Sequence, residues 1–141
     1  TVITNLATIT FDPTYGVNPP IVTDPVTNTI DREAPSSSVD PLPATSPETF
    51  TVSWSGDDGA GAGIASYDVY VSTDGAPAVL WQSGVTETAA SFAGVADHTY
   101  GFYTVATDNV GHTEAAPAEP DAVTTALEAY DLYLPMVVRR R

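Results

Sequence analysis

The chain has 141 residues, a formal net charge of −14 and no cysteine. Its length fits one ordinary domain with extensions, and so acidic a chain repels nucleic acid, which excludes nucleic-acid binding. The lack of cysteine excludes disulfides and thiolate metal sites, and the lack of lysine excludes lysine–asparagine isopeptide crosslinks. No apolar run approaches the roughly 20 residues that a membrane-spanning helix needs, so no membrane span is expected.

Residues 1–12 (TVITNLATITFD) form the first predicted element, a half-buried β-strand. Apolar and polar residues alternate along it with the period of two that a strand requires. No tight turn follows to fold the strand back, and a proline-broken connector extends to residue 31 instead. Since a lone apolar strand cannot bury itself, we expect it to pair with another chain or with an edge of its own domain. The side chains predicted to form this assembly strand are Ile3, Leu6, Ala7, Ile9 and Phe11.

Residues 32–126 are predicted to fold as an all-β antiparallel sandwich. Short alternating segments rich in valine, threonine and tyrosine are separated by turn signals such as Asp74-Gly75, as in other all-β sandwiches. The predicted strands span 36–40, 49–55, 65–72, 78–82, 89–93, 99–107 and 122–126. The predicted core residues are Trp54, Tyr67, Val69, Tyr100 and Phe102.

The motifs GIASYDVYVSTDG, LWQSG and HTYGFYTVATDNVGH carry a family resemblance. They resemble the Ig-like and fibronectin type III-like modules of large bacterial surface and secreted proteins, over roughly residues 32–126. The resemblance implies an Ig-like fold, an extracellular location at the bacterial surface, and a tyrosine-corner role for Tyr100. The chain departs from the pattern at His112, where these modules usually carry asparagine. The segment 1–31 is similar to the final strand and connector of another bacterial extracellular repeat domain.

Acidic loop residues are the first candidate site. In a sandwich of this kind, the loop after the second strand, the loop after the long strand and the entry to the first strand lie at one end. Five residues of these segments are expected to converge: Asp31, Asp57, Asp58, Asp108 and Asn109. Their oxygens, with loop carbonyls, would suit Ca²⁺. The alternative is turn chemistry without any ion, because Asp and Asn beside Gly are what tight loops need.

Histidines are the second candidates, since imidazole can act as a base or a metal ligand. His98 and His112 are predicted to be exposed loop residues. No nucleophile-elbow or histidine-pair motif is present, and so small a sandwich offers no evident cleft between two acids. We therefore predict that the protein is not an enzyme.

Aromatic residues outside the predicted core are the third candidates. Tyr70, Trp81 and Tyr103 fall on the opposite face of their strands or on a hairpin. Exposed together, they would stack on sugar rings or cover a partner protein. The favoured alternative is that they pack against the N-terminal segment or the C-terminal tail.

The C-terminal tail, residues 127–141, is too short to span a bilayer. It is either an anchoring tag or a docking strand, or else a plain edge strand with a basic end formed by residues 139–141. The predicted docking residues are Tyr130, Leu132 and Leu134.

Two functions follow from these predictions. In the first, the chain is a non-enzymatic extracellular subunit that polymerises head to tail into a filament or surface layer by donating residues 1–12 to a neighbouring copy. In the second, it is an adhesive or spacer module joined to adjacent domains of a longer surface protein, with calcium or carbohydrate as candidate ligands.

Overall fold

A computed structural model describes residues 2–5, 8–9, 21–22 and 24–128 of the chain. The described residues contain twelve strands and no helix, so no helix there is long and apolar enough to cross a membrane. The strands are β1 (Val2–Asn5), β2 (Thr8–Ile9), β3 (Ile21–Val22), β4 (Val26–Thr29), β5 (Ser36–Val39), β6 (Thr45–Pro47), β7 (Thr49–Asp57), β8 (Ile64–Thr73), β9 (Val79–Val85), β10 (Ala89–Ala93), β11 (Thr99–Asp108) and β12 (Ala122–Leu127).

The predicted all-β sandwich is confirmed. One sheet has three strands in the order β10-β7-β5, and the other has five in the order β6-β12-β11-β8-β9. Neighbouring strands are antiparallel except β6, a short unpredicted strand that pairs in parallel with β12. The long central pair β8–β11 organises the larger sheet, and the remaining strands fall close to their predicted positions.

The core lies between the two sheets, where the alternation of β7, β8 and β11 places every second side chain. All five predicted core residues are buried: Trp54, Tyr67, Val69, Tyr100 and Phe102. The Tyr100 hydroxyl accepts a 2.8 Å hydrogen bond from the backbone N–H of Val95, as expected of a tyrosine that satisfies its polar end locally. These five core positions therefore follow from the strand alternation alone.

The position of Trp81 corrects one expectation. Its side chain was expected either to be exposed with Tyr70 and Tyr103 or to pack against a terminal segment, but it packs against the core. Its ring packs edge-on against Phe92 at 5.3 Å and against Trp54 at 6.4 Å between centroids. A third contact, with Phe102, is at 5.7 Å. The register of β9 against β8 is irregular between Tyr67 and Tyr70, which alternation from β8 does not predict. Trp81 is thus a partly buried member of the core.

The N-terminal segment corrects the expectation that its strand pairs either with another chain or with an edge of the sandwich domain. Strand β1 pairs antiparallel with β4 of the connector, and β2 pairs with β3. We call these four strands the N-terminal ribbon. In the described part of the chain, no ribbon strand makes an extended contact with a sandwich strand. Leu6, Ala7 and Phe11 lie outside the described residues, as does residue 1.

Candidate functional site

The largest group of candidate residues surrounds a cleft at one end of the sandwich. The cleft has a volume of about 480 Å³ and lies between the segment that precedes β5 and the loop that joins β7 to β8. Asp31, Asp57 and Asp58 line it, as the sequence predicts for this end of the fold. Each of these carboxylates accepts hydrogen bonds from backbone amides, so the cleft is built from turns.

Asp31 connects the chain ahead of β5 to the β7–β8 loop. Its Oδ2 accepts a hydrogen bond of 2.8 Å from the amide of Ala62, and its Oδ1 accepts one of 3.1 Å from the amide of Glu33. The hydrogen bond from Ala62, followed by that from Glu33, holds the pKa of the Asp31 carboxyl below its usual value. Asp31 is therefore a charged acceptor that ties two distant segments together.

Asp108 is the buried member of the site, with only 2% of the residue exposed. Burial alone would raise the pKa of its carboxyl, but hydrogen bonds from the amides of His112 and Val110 and from the His112 imidazole outweigh it. The net result is a pKa below the usual value. The donor distances to the carboxylate lie between 2.8 and 2.9 Å. The ionised carboxylate therefore organises the turn after β11.

His112 is a site residue that the sequence analysis missed, since it was expected to be an exposed loop side chain. Its Nδ1 donates to Oδ2 of Asp108 at 2.8 Å, and the ring is partly covered. The available signal was its position four residues after Asp108, within one turn of the chain. His98 is a half-exposed partner of Asp74, to which its Nδ1 donates at 2.6 Å.

Three side chains of this site could hold a metal ion. Ligand atoms of Asp31, Asp108 and His112 all lie within 4.8 Å of one another. Two carboxylates and an imidazole suit a borderline cation such as Zn²⁺ or Mn²⁺ better than Ca²⁺, which prefers six to eight oxygens. The Asp108–His112 hydrogen bond occupies Nδ1, so an ion would have to bind Nε2 or displace that bond. Calcium stays a prediction.

The remaining predicted ligands have local partners. Asp58 accepts a hydrogen bond of 2.6 Å from the amide of Gly63, and Asp57 accepts one of 3.0 Å from the amide of Gly59. Asn109 donates from Nδ2 to the carbonyls of Ala62 and Gly63, both at 2.9 Å. These contacts fit the turn-chemistry interpretation, and they join the β7–β8 loop to the loop after β11.

Two further carboxylates, which the sequence analysis did not single out, join the two sheets. Glu114 accepts hydrogen bonds from the amide and hydroxyl of Ser37 on β5 and from the amide of Ala106 on β11. Asp121 accepts from the amide of Val39 at 3.0 Å and from the amide of Thr104 at 3.4 Å. We call Glu114 and Asp121 the bridging carboxylates. The sequence does not distinguish these two residues, because acidic residues are common in loops.

The aromatic pair on the outer face of the larger sheet consists of two of the three residues in the predicted set. Tyr70 and Tyr103 stack with ring centroids 4.8 Å apart and an interplanar angle of 10°. Burial, and then the neighbouring Tyr70, raise the pKa of the Tyr103 hydroxyl. Tyr103 also lines an open cleft of about 550 Å³ together with Pro117 and Pro120. Because the rings stack on each other, each has one face left for another contact, and carbohydrate binding stays a prediction.

The predicted docking residues of the tail, Tyr130, Leu132 and Leu134, lie outside the described residues, as do residues 139–141. Comparison with family models, curated proteins and solved structures found no match to this chain. The Ig-like family resemblance therefore stays a prediction, and any function rests on the geometry described above.

Proposed function

We propose that this chain is a non-enzymatic extracellular structural subunit that assembles with other copies of itself through its N-terminal ribbon. The observation that carries the proposal is the position of the ribbon. Its strands pair only with each other among the described residues, without extended contact to the sandwich. A two-stranded ribbon by itself is marginally stable in water, so docking on a partner would stabilise it.

The apolar character of the ribbon supports the same proposal. Ile3, at the centre of β1, is 50% exposed. An exposed strand with a free edge is a template for pairing with another chain. Repeated from copy to copy, a contact between the ribbon and a different surface of the next copy produces an open filament.

The polar clusters support a structural role more than a catalytic one. Asp31 and the bridging carboxylates accept hydrogen bonds from the backbone of separate segments, and Asp108 accepts them from amides of its own turn. Both are the behaviour of structural acceptors. His112 is oriented by Asp108, but among the described residues no hydroxyl is hydrogen-bonded to its Nε2. An imidazole needs such a partner to activate a serine or threonine nucleophile.

The second candidate is a spacer or adhesive module of a longer surface protein. The hydrogen bond between Asp31 and the amide of Ala62 favours it, because this bond fastens the chain that enters the sandwich to a sandwich loop. Such a joint would limit the motion of a preceding segment and transmit force into the sandwich. In this case the ribbon would dock on an adjacent domain instead of on a second copy.

Analytical ultracentrifugation of the full chain over a wide concentration range distinguishes the two candidates. We expect concentration-dependent polymers, and monomers when residues 1–12 are deleted. Replacing exposed Ile3 with Lys should weaken association by about 10- to 100-fold. This factor corresponds to the free energy gained by burying one large aliphatic side chain.

The matched control is Val123→Lys, which puts the same charge on a residue of β12, a strand that lies inside the larger sheet. It should assemble like the wild-type chain. A wild-type chain that is monomeric at every concentration, or a polymer that survives deletion of residues 1–12, would overturn the assembly proposal and favour the spacer module.

A further inference from the structure

The outer edge of β9 is the most open strand edge of the sandwich. Strand β9 is the last strand of the larger sheet, with β8 as its neighbour on one side. Val79 is 63% exposed and Leu80 is 48% exposed, so the first half of β9 presents apolar side chains as well as a backbone edge that no described strand pairs with. Proteins usually blunt such an edge because it pairs readily with other strands.

The usual protection is confined to the second half of β9. Gly84 has a φ of +61°, its amide is hydrogen-bonded to Asp68 Oδ1 at 2.7 Å, and the register against β8 is irregular there. The first half keeps regular pairs, Leu80 with Tyr70 and Val79 with Val71. The segment VLWQSGV contains no charged residue and no proline. A register shift lies between Leu80 and Gln82, so Val79 and Leu80 form the regular, unprotected part of the edge.

The other edges of the two sheets are less suited to strand addition. Strand β6 has only three residues and ends in Pro47, which cannot donate a backbone hydrogen bond. The bridging carboxylates occupy backbone amides of Ser37 and Val39 on β5. Strand β10 exposes only alanine and serine side chains. Among the described strands of the sandwich, β9 is the edge that offers both backbone groups and large apolar side chains.

Strand β1 of a second copy fits this edge by charge and by hydrophobicity. Strand β1 has four residues, VITN, without a charge, and among the described strands only β4 pairs with it, along one of its edges. The chain carries a net charge of −14, so two copies repel each other over most of their surfaces. Two uncharged edges can approach with less repulsion, and Ile3, Val79 and Leu80 would then lose water together.

We propose that the edge of β9 at Val79 and Leu80 accepts β1 of a second copy, so that the larger sheet of one copy continues into the N-terminal ribbon of the next. This inference rests on the proposed function, since it names the surface on which the ribbon docks. The contact joins two different surfaces, so a pair of copies keeps one acceptor free on the donating copy and one donor free on the accepting copy. Chains of copies can therefore grow at both ends.

Cysteine crosslinking of the full-length chain tests the contact, because the natural sequence contains no cysteine that could interfere. Ile3→Cys protein is mixed under mild oxidation with Val79→Cys protein or with Leu80→Cys protein. The two acceptor positions face opposite sides of β9, so together they cover either face of a docked strand. We expect a disulfide-linked heterodimer in at least one mixture, and only the background level when Ile3→Cys is mixed with Val123→Cys.

Sedimentation of Leu80→Lys provides the second measurement. Leu80 and Val123 have nearly equal exposure, 48% and 49%, but only Leu80 lies on a free edge. We expect Leu80→Lys to weaken association by about 10- to 100-fold and Val123→Lys to leave it unchanged. Circular dichroism checks that both variants keep the strand content of the wild-type chain.

The outcomes separate the two proposals. A wild-type chain that never associates overturns the proposed function and this inference with it. A wild-type chain that associates through its ribbon, with no crosslink to position 79 or 80 and with normal assembly of Leu80→Lys, overturns only the assignment of β9. In that result the ribbon docks on another surface of the second copy.

Discussion

Asp31 and Ala62 are joined by a hydrogen bond of 2.8 Å from the Ala62 amide to Oδ2 of the carboxylate, although 31 residues separate them in sequence. One side chain therefore fixes the entry of the chain into the sandwich against the loop between β7 and β8. Asp108 and His112 lie directly beside this contact, with ligand atoms within 4.8 Å of those of Asp31. The cleft end of the sandwich thus behaves as one hydrogen-bonded unit.

Replacing Asp31 with Ala should loosen this joint without unfolding the sandwich. The Ala62 amide would lose its acceptor, so hydrogen exchange at that amide should become faster by up to about tenfold. This factor corresponds to the free energy of a hydrogen bond to a charged group that water partly screens. Asp57→Ala is the matched control, since Asp57 lines the same cleft but bonds only the amide of Gly59 in its own turn. Equal exchange at Ala62 in both variants would contradict the proposed joint.

The depressed pKa values of Asp31 and Asp108 predict how stability depends on pH. A carboxyl whose pKa is lower in the folded state stabilises the fold above its unfolded pKa of about 3.9, and this stabilisation is lost as pH falls through the folded pKa. Thermal unfolding between about pH 2 and 7 should therefore show a plateau above about pH 5 and a decline below about pH 4. Asp108→Asn should have a lower plateau and a shallower decline, and an unchanged decline would count against this role of Asp108.

Thr104 and Thr124 form a matched pair for a test of buried polarity, because both side chains are fully buried in strands of the larger sheet. The hydroxyl of Thr104 has no hydrogen-bond partner among the described residues, whereas that of Thr124 is bonded to the Ser46 hydroxyl at 2.8 Å. Thr104→Val should raise the free energy of unfolding by about 1 kcal/mol, and Thr124→Val should lower it by about 1–3 kcal/mol. Urea denaturation of both variants measures the difference, and equal changes of one sign would refute the assignment.

Glu114 should contribute more to stability than a loop carboxylate usually does. It accepts three hydrogen bonds from Ser37 and Ala106, so Glu114→Gln removes the charge and converts one acceptor into a donor that faces other donors. We expect a loss of about 1.5–3 kcal/mol in the free energy of unfolding. Glu119→Gln, at an exposed position in the same loop, should change it by less than about 0.5 kcal/mol. Similar values for the two variants would show that Glu114 does not join the sheets.

The sequence by itself determined the all-β class, most strand positions and the core, because these depend on local alternation. Trp54, Val69 and Phe102 are buried since their strands present every second residue to the other sheet, and nothing distant is needed to predict it. The expected convergence of Asp31 and Asp108 also followed from the order of loops in a sandwich. The contact of His112 with Asp108 was not predicted, because it depends on the conformation of one turn, which sequence patterns describe poorly.

Only the tertiary structure decided which distant segments meet. The pairing of β1 with β4, the position of Trp81 in the core and the bridging carboxylates all arise from long-range contacts that leave no periodic trace in the sequence. A strand pattern shows that a segment will pair, but the partner is chosen by the free edges and apolar surface that the rest of the fold leaves available. For that reason the sequence predicted a strand in need of a partner, whereas the structure showed that β1 pairs with β4 and that β9 is an edge strand of the larger sheet.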